Sequence, residues 1–407
     1  MTLVMAAGLI QQVCSPGQSC PVPAGAIESP LAPDSTVMPA LISAHVHLAL
    51  LDAQGQFDSN AYTEPHVLAQ LQQYEHYGIT TVVSLGMNRD LVWSIRDQQR
   101  AGQVGGATLL TVGRGIGVPN GFPPNTATPD QVDRPATSAE ARLDVDRAAD
   151  HHADLIKIWI DSNHGKFPEM SDAVVHAVIA EAHARGLRVA AHVYALEDAR
   201  RLVTEGVDIL AHSVRDAPVD PAFIALLKSK GIWYIPTLTV DQSFFLFADQ
   251  PELLNDPLLT AALPASQLAV LRSAAYRDKI ESDPATVQHR QDFATASQNL
   301  KRLYDAGINI GFGTDSGATL ARIPGYAEHQ ELALMVRAGL TPAEALACAT
   351  AHNAAMLRLP TGVLKPGNRA DLLIIQGDPT DDMNAINHIV AVYHAGVPAT
   401  PLSAANP

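Results

Sequence analysis

Cationic side chains are scarce in this chain: 27 Lys and Arg stand against 42 Asp and Glu, for a net charge of −15 over 407 residues. A surface of that sign repels phosphate backbones and anionic headgroups, which excludes nucleic acid and anionic membranes as main partners. A small-molecule substrate stays open, because the charge at one site can oppose the global sign. Long apolar runs are also missing, and none reaches the ~18 residues that a membrane-spanning helix needs. Cysteine is rare, with three in all. Cys348 falls in an apolar, helix-like stretch and reads as inert core. An odd total without a disulfide-dense pattern favours a reduced compartment, the cytoplasm. Export is the alternative, in which Cys14 and Cys20 could pair. Residues 1–10 are apolar but lack the basic start of a signal peptide. There is no short-period repeat or low-complexity tract.

What the chain does have is apolar content, 47% of residues, enough for a large core. At ~150 residues per domain its length suggests two or three domains, but an α/β barrel of ~250 residues with a small appendage fits equally well. Short β-branched or apolar runs alternate with amphipathic helical patterns. The strand candidates are 37–47, 80–85, 107–112, 155–160, 188–193, 208–212, 232–236 and 308–313. Gly78, Gly186, Gly206, Gly231 and Gly307 each come shortly before a strand, where a helix-ending glycine belongs. Eight strands alternating with helices predict a parallel sheet closed into a (β/α)₈ barrel over 38–360. The ends, 1–37 and 361–407, hold only short strand-like pieces, with 370–375 and 388–394 the clearest. They are expected to meet as a small β-sandwich. The connection 237–284 is too long for a simple loop and carries Phe244, Phe245 and Phe247. It reads either as a lid over the barrel mouth or as a helical decoration packed elsewhere.

The chemistry-bearing residues gather at predicted strand ends. His45 and His47, one residue apart on a strand, point to the same face and make a natural metal pincer. Alone, a His-x-His in a chain with 16 His says little. Lys157 sits inside Leu-Ile-Lys-Ile-Trp-Ile, where burying a charged amine is costly. Either a carboxylate pairs with it, or it is neutral and can add carbon dioxide to become a bridging carbamate. His192 and His212 end the fifth and sixth candidates, and Asp315 follows the eighth in Gly-Phe-Gly-Thr-Asp-Ser-Gly. Each has an innocent reading as a cap or a backbone-bonded side chain. Their convergence on one end of one barrel does not.

Met38-Pro-Ala-Leu-Ile-Ser-Ala-His-Val-His-Leu48 resembles the first-strand motif of the amidohydrolase superfamily. The likeness continues through Tyr77-Gly-Ile-Thr-Thr-Val, Ile156-Lys-Ile, Ala191-His-Val, Ala211-His-Ser and Gly313-Thr-Asp-Ser, and reaches the tail Gly362-Val-Leu-Lys-Pro-Gly-Asn-Arg-Ala-Asp-Leu-Leu373. It spans about 36–400 and is strongest to the imidazolonepropionase-like and Xaa-Pro-dipeptidase-like branch. The resemblance implies a (β/α)₈ barrel with a β-sandwich from both chain ends, and two divalent metal ions, usually zinc. His45, His47 and Asp315 would hold the more buried metal, and His192 and His212 the other. Carbamylated Lys157 and a hydroxide would bridge them. Asp315 would take the proton from the attacking water and pass it to the leaving nitrogen. A homo-oligomer is implied as well.

Three positions depart from the pattern. Ala40 replaces a usual Gly, Ser43 a usual Asp, and Ser213 stands where many relatives have Gly; the N-terminal half of the sandwich is also short. Substrate-binding candidates are the loop residues Tyr194, Arg114, His164 and Arg215, with Tyr194 first because it lies two past His192. An Arg at the mouth would suit a substrate carboxylate. His66, His76, His151, His152, His176, His183, His329 and His352 fall in helical patterns and read as bystanders. The expected activity is hydrolysis of an amide or peptide-like C–N bond. The alternatives are a lactone, ester or carbamate hydrolase on the same site, or a non-catalytic metal-binding barrel.

Overall fold

The structure is a computed structural model that describes residues 1–124 and 128–399. Residues 400–407, part of the expected C-terminal segment, lie outside the described residues. The N-terminus forms a two-stranded antiparallel hairpin, β1 (Thr2–Ala6) and β2 (Leu9–Cys14). Cys14 and Cys20 form a disulfide, and Cys348 is free and buried.

The expected first strand, 37–47, is in fact two. β3 (Ser35–Pro39) belongs to one sheet and β4 (Leu41–Val46) to another. The break falls at Ala40, whose amide donates to Asp371 while Leu41 turns to pair across Gly78. The reading as one strand failed because both halves are apolar and nothing in the pattern marks a change of partner.

The barrel strands follow as β4, β5 (Ile79–Ser84), β6 (Thr108–Thr111), β7 (Ile156–Trp159), β8 (Val189–His192), β9 (Ile209–Ala211), β10 (Trp233–Ile235) and β11 (Asn309–Ile310). They form two parallel arcs, β4-β5-β6 and β7-β8-β9-β10-β11. Main-chain bonds join the arcs at both seams. Ile116 takes part in a parallel bridge to Ile158 and donates to the Lys157 carbonyl. On the other side Val46 bridges Ser316, and Ala44 donates to Phe312. The Asn353 side chain locks the second seam, donating to both the Ile42 and Phe312 carbonyls and accepting from the Phe312 amide. The barrel interior is filled by Val83, Leu110, Ala190, Ile209 and Met356, and a larger apolar layer lies between strands and helices.

The last strands are β12 (Leu372–Gln376), β13 (Ile389–His394) and β14 (Val397–Pro398). Together with β3 they make a four-stranded antiparallel sheet, order β14-β13-β12-β3, in which Leu372 faces Pro39. β2 reaches the C-terminal segment too, since Ile10 donates to Asn368 and Gly367 to Ile10. The fold is therefore the expected (β/α)₈ barrel with a small β-structure built from both ends of the chain. Among the described residues, no helix is long and apolar enough to cross a membrane.

The long connection after β10 folds as a string of short helices from Thr239 to Ser282. It is pinned to the mouth. Leu238 and Thr239 donate their amides to the buried Glu331 carboxylate, and Thr239 Oγ1 donates to the Thr314 carbonyl. Farther along, Ser266 and Gln267 donate to the carbonyls of Ala53 and Asp52, in the loop that follows His47.

Candidate metal centre

β4 carries His45 and, just beyond its end, His47. Asp315 Oδ1, arriving from the far side of the seam, lies 3.1 Å from His45 Nε2 and 2.9 Å from His47 Nε2. The His212 ring centroid is 4.6 Å from that of His45 and 4.4 Å from that of His192. Ligand atoms of His45, His212 and Asp315 all fall within 4.8 Å of one another. Lys157, 1% exposed, rises from β7 with its Nζ 5.6 Å from the Trp159 ring centroid. Its amine has no hydrogen-bond partner among the described residues, nor has His45 Nδ1. All six predicted ligands are thus brought to one end of the barrel.

Each of the other imidazoles is held by one nitrogen. His47 Nδ1 meets the Gly86 carbonyl at 3.0 Å, His212 Nδ1 meets Thr237 Oγ1 at 2.8 Å, and His192 Nε2 meets Asp161 Oδ2 at 2.9 Å. The second nitrogens of His192 and His212 are left for another partner, while that of His47 faces Asp315 Oδ1. This is the outer-shell support that metal-binding histidines need, since it fixes tautomer and ring orientation. The backbone is unusual here as well. His212, Thr237 and Asp315 all have positive φ, 76°, 43° and 60°, a cost that a fold sustains where side-chain aim matters. Gly313 and Gly317, which flank Asp315, answer to close approach. A Cβ on Gly313 would come within 2.7 Å of His45 Cβ, and one on Gly317 within 2.1 Å of the His47 carbonyl.

Burial sets the charge state. It lowers His45 to about 3, with help from the neighbouring Lys157, and it lowers His192 and His212 as well. Burial also brings Lys157 down to about 7, against the pull of Asp315. His45, His192 and His212 are therefore neutral, with lone pairs free to bind a cation. Burial would raise Asp315, but Arg322, His47 and His45 outweigh it and hold the carboxyl well below the usual range. Asp161 falls to about 2, because its bond to His192 overcomes its own burial. A pair of cations would suit this donor set of neutral imidazoles, a buried unpartnered amine and one firmly ionised carboxylate.

The departures from the family pattern have local reasons. Ser43 Oγ donates to Glu328 at 3.1 Å, and the same buried carboxylate accepts from Thr314, Ser316 and the Gly325 amide. An Asp at 43 would set a second carboxylate against it. Ser213 Oγ donates to the Pro236 carbonyl at 2.9 Å, so it ties two strand ends together.

Three of the four substrate-binding candidates come together. The His164 and Tyr194 rings meet edge to face at 5.0 Å, and the Arg215 guanidinium lies 4.9 Å from the Tyr194 centroid. Arg114 is not with them, which corrects the expectation for that residue. Its guanidinium is committed to Asp90 and Asp133, beside Trp93 and Arg147 of the outer helices. Two carboxylates in reach outcompete any position at the mouth. His176 and His183 pair with Glu205 and Asp208 on the outside, while His329 and His352 bond to Tyr77 and Ile310 carbonyls.

Sequence reasoning missed Arg322, whose guanidinium contacts Asp315 Oδ2 while its Nε donates to Thr319. It also missed Asp161, although that residue sits four past Lys157 at the same strand parity. A second cluster was missed entirely. Asp241, His289 and Asp292 bring their ligand atoms within 4.8 Å of one another, and no motif marks them.

The amidohydrolase family profile matches residues 36–402. An uncharacterized protein of Mycobacterium tuberculosis is 26% identical over 360 residues, covering 86% of this chain and 82% of its own. The ochratoxinase of Aspergillus niger is 27% identical over 233 residues, covering 56% of this chain and 40% of that enzyme. Among solved structures, a prolidase candidate from Bifidobacterium longum superposes with a TM-score of 0.73 at 28% identity, over 97% of this chain and 88% of that one. With six ligand-type side chains gathered at the barrel mouth and the family pattern running through nearly the whole chain, this protein belongs to the amidohydrolase family and is a hydrolase acting on carbon–nitrogen bonds.

Proposed function

We propose that this chain hydrolyses an amide or peptide-like C–N bond at a two-metal site held by His45, His47, His192, His212, Asp315 and the carbamate of Lys157. The observation that carries the reading is the Lys157 amine, buried among these residues with no partner and shifted to about 7. An amine in that state has a free lone pair. It can attack carbon dioxide, form an N–C bond and lose an N–H proton, leaving an anion with two ligand oxygens. When bound, two divalent cations, zinc being the natural choice for an imidazole-rich set, lower the pKa of water and polarise the scissile carbonyl.

The rest falls to the chain's own groups. Asp315, ionised and held by Arg322, accepts a proton from the attacking water and returns it to the leaving nitrogen. Thr237, Gly86 and Asp161 keep three imidazoles aimed during that exchange. The His164, Tyr194 and Arg215 group forms a wall beside His192 and positions the substrate. Its charges are already matched, Arg215 by Asp241 at 3.0 Å and the Tyr194 hydroxyl by Asp292 at 3.1 Å. The contact it offers is therefore shape and an aromatic face more than a spare cation.

The test is protein produced with zinc and ¹³C-bicarbonate. Elemental analysis should give about two metals per chain, with a carbamate carbon resonance that disappears in Lys157→Ala. One metal per chain and no such resonance would overturn the bridged site. A panel of N-acyl amino acids, dipeptides, lactones and carbamates should show amides turned over fastest. Asp315→Asn should lower kcat by about 10²- to 10⁴-fold with the fold retained, and a near wild-type rate would remove Asp315 from the mechanism.

A further inference from the structure

The two seams of the barrel are secured differently. Between β11 and β4, the Asn353 side chain bonds both edges. Between β6 and β7, the main-chain contacts are those of Ile116, which donates to the Lys157 carbonyl and accepts from the Trp159 amide at 3.2 Å. The indole of Trp159 then crosses this second seam. It is 5% exposed and lies against two glycines of the opposite arc, Gly86 after β5 and Gly115 after β6. A Cβ on either would come within 2.5 Å of the outer ring atoms, so the slot that takes the indole depends on both being glycine. The Met87 amide donates to the Arg114 carbonyl at 2.9 Å and ties the two loops into one plate beneath the ring.

Three carriers of metal ligands meet this one side chain. Gly86 offers its carbonyl to His47 Nδ1 at 3.0 Å. Lys157 lies two residues earlier on β7, on the same face as Trp159, with its Nζ 5.6 Å from the indole centroid. His192 is the register partner of Trp159 on β8. His45 and His47 come from the arc β4-β5-β6, whereas Lys157, His192 and His212 come from the arc that runs from β7 to β11. A bridging group on Lys157 has to serve cations held from both arcs, so its reach depends on the spacing across the seam. The ring adds a direction to that spacing. Its electron-rich face attracts an ammonium but repels carbamate oxygens, and closes that side to them.

We propose that Trp159 is a positioning residue of the hydrolytic site: seated on Gly86 and Gly115, its indole sets the spacing between His47 and Lys157, so that one bridging group serves both cations. This role rests on the two-metal reading of the site. A tryptophan that only filled space would contribute to stability and leave the metal site of the folded protein unchanged.

The test compares the wild-type full chain with Trp159→Ala and Trp159→Phe, each produced with zinc and ¹³C-bicarbonate and checked for cooperative unfolding in denaturant. Zinc affinity is read by competition against a chelator, the carbamate by its carbon resonance, and the reaction by kcat and KM separately. Trp159→Ala should weaken the binding of at least one zinc ion by about 10- to 100-fold, the range for groups that support metal ligands from outside. Its carbamate resonance should shrink, and kcat should fall while KM changes little. Trp159→Phe leaves a smaller ring in the slot. It should recover part of all three, and it carries the test alone if the alanine variant does not fold. Wild-type zinc affinity, full resonance and full kcat in folded Trp159→Ala, or in Trp159→Phe where that variant stands alone, would overturn the role of Trp159 and leave the two-metal reading intact. Wild-type protein with one zinc ion and no carbamate resonance would overturn that reading, and the role assigned to Trp159 with it.

Discussion

Two clusters in this molecule bring histidine and carboxylate within metal-binding distance: His45, His212 and Asp315 at the strand ends, and Asp241, His289 and Asp292 beside them. They differ in what each group already has. In the second, Asp241 is matched by Arg215 and His289, and Asp292 accepts from Tyr194 and Gln288. In the first, the Lys157 amine and His45 Nδ1 have no partner among the described residues, His192 and His212 are gripped by one nitrogen only, and His45 and His47 turn their Nε2 atoms on the same Asp315 oxygen. Convergence of donor types is therefore a weak criterion. A built metal site combines outer support with inner atoms that nothing else satisfies. The second cluster is an ion-pair network, and its visible work is to tie the loop after β9 to the helices that follow β10.

That contrast can be broken or sharpened by substitution. The largest effect is expected from Lys157→Ala, which should lose one or both metals and, with several kcal/mol of transition-state stabilisation, on the order of 10³-fold in kcat. Added acetate or propionate should restore part of both metal content and rate, whereas Lys157→Arg should not respond, because a fixed cation repels the metals. Full metal content and turnover in Lys157→Ala would make the lysine structural. Next comes Asp161→Asn, which loosens the outer hold on His192. It should weaken metal affinity by about 10- to 100-fold, read by competition against a chelator, and an unchanged affinity would deny Asp161 its positioning role.

Asp241→Ala should leave the metal count alone but cost about 3–5 kcal/mol of stability, since it strands the buried Arg215 cation. Denaturant unfolding of the metal-loaded protein measures this, and loss of metal in the still-folded variant would contradict the division between the clusters. The smallest effect belongs to Arg114→Ala. With its guanidinium committed to Asp90 and Asp133, KM should stay within about twofold of wild type. The loss falls on stability instead, by about 1–2 kcal/mol, because the guanidinium is only partly exposed and its partner Asp133 is largely buried.

The strands and the six candidate ligands were legible because both follow from one local rule. Apolar runs mark strands, and residues at their C-terminal ends face the barrel mouth. What was not legible depends on partners remote in sequence. Arg322 reaches Asp315 by the curl of a loop, and His289 reaches Asp241 from another helix. Ser43 stands out in the sequence only as a departure from the usual Asp, and its partner Glu328 is 285 residues away. Arg114 looked available because its loop position said nothing of Asp90 and Asp133. The single strand read over 37–47 shows the same limit, since pattern reports burial but not which neighbour supplies it.

The split at Ala40 bears on how the protein is made. β4 can pair with β5 early, but β3 pairs with β12 and the far edge of β4 is tied to Phe312 by Asn353, so the segment leading into the His45–His47 pair gains its remaining partners only when nearly the whole chain has left the ribosome. Until then its N-terminal half is an unpaired apolar edge, open to other nascent chains. High contact order of this kind slows folding. The same arrangement acts as a check on completeness, because a chain cut short before β12 leaves β3, the lead-in to the His45 strand, without its partner.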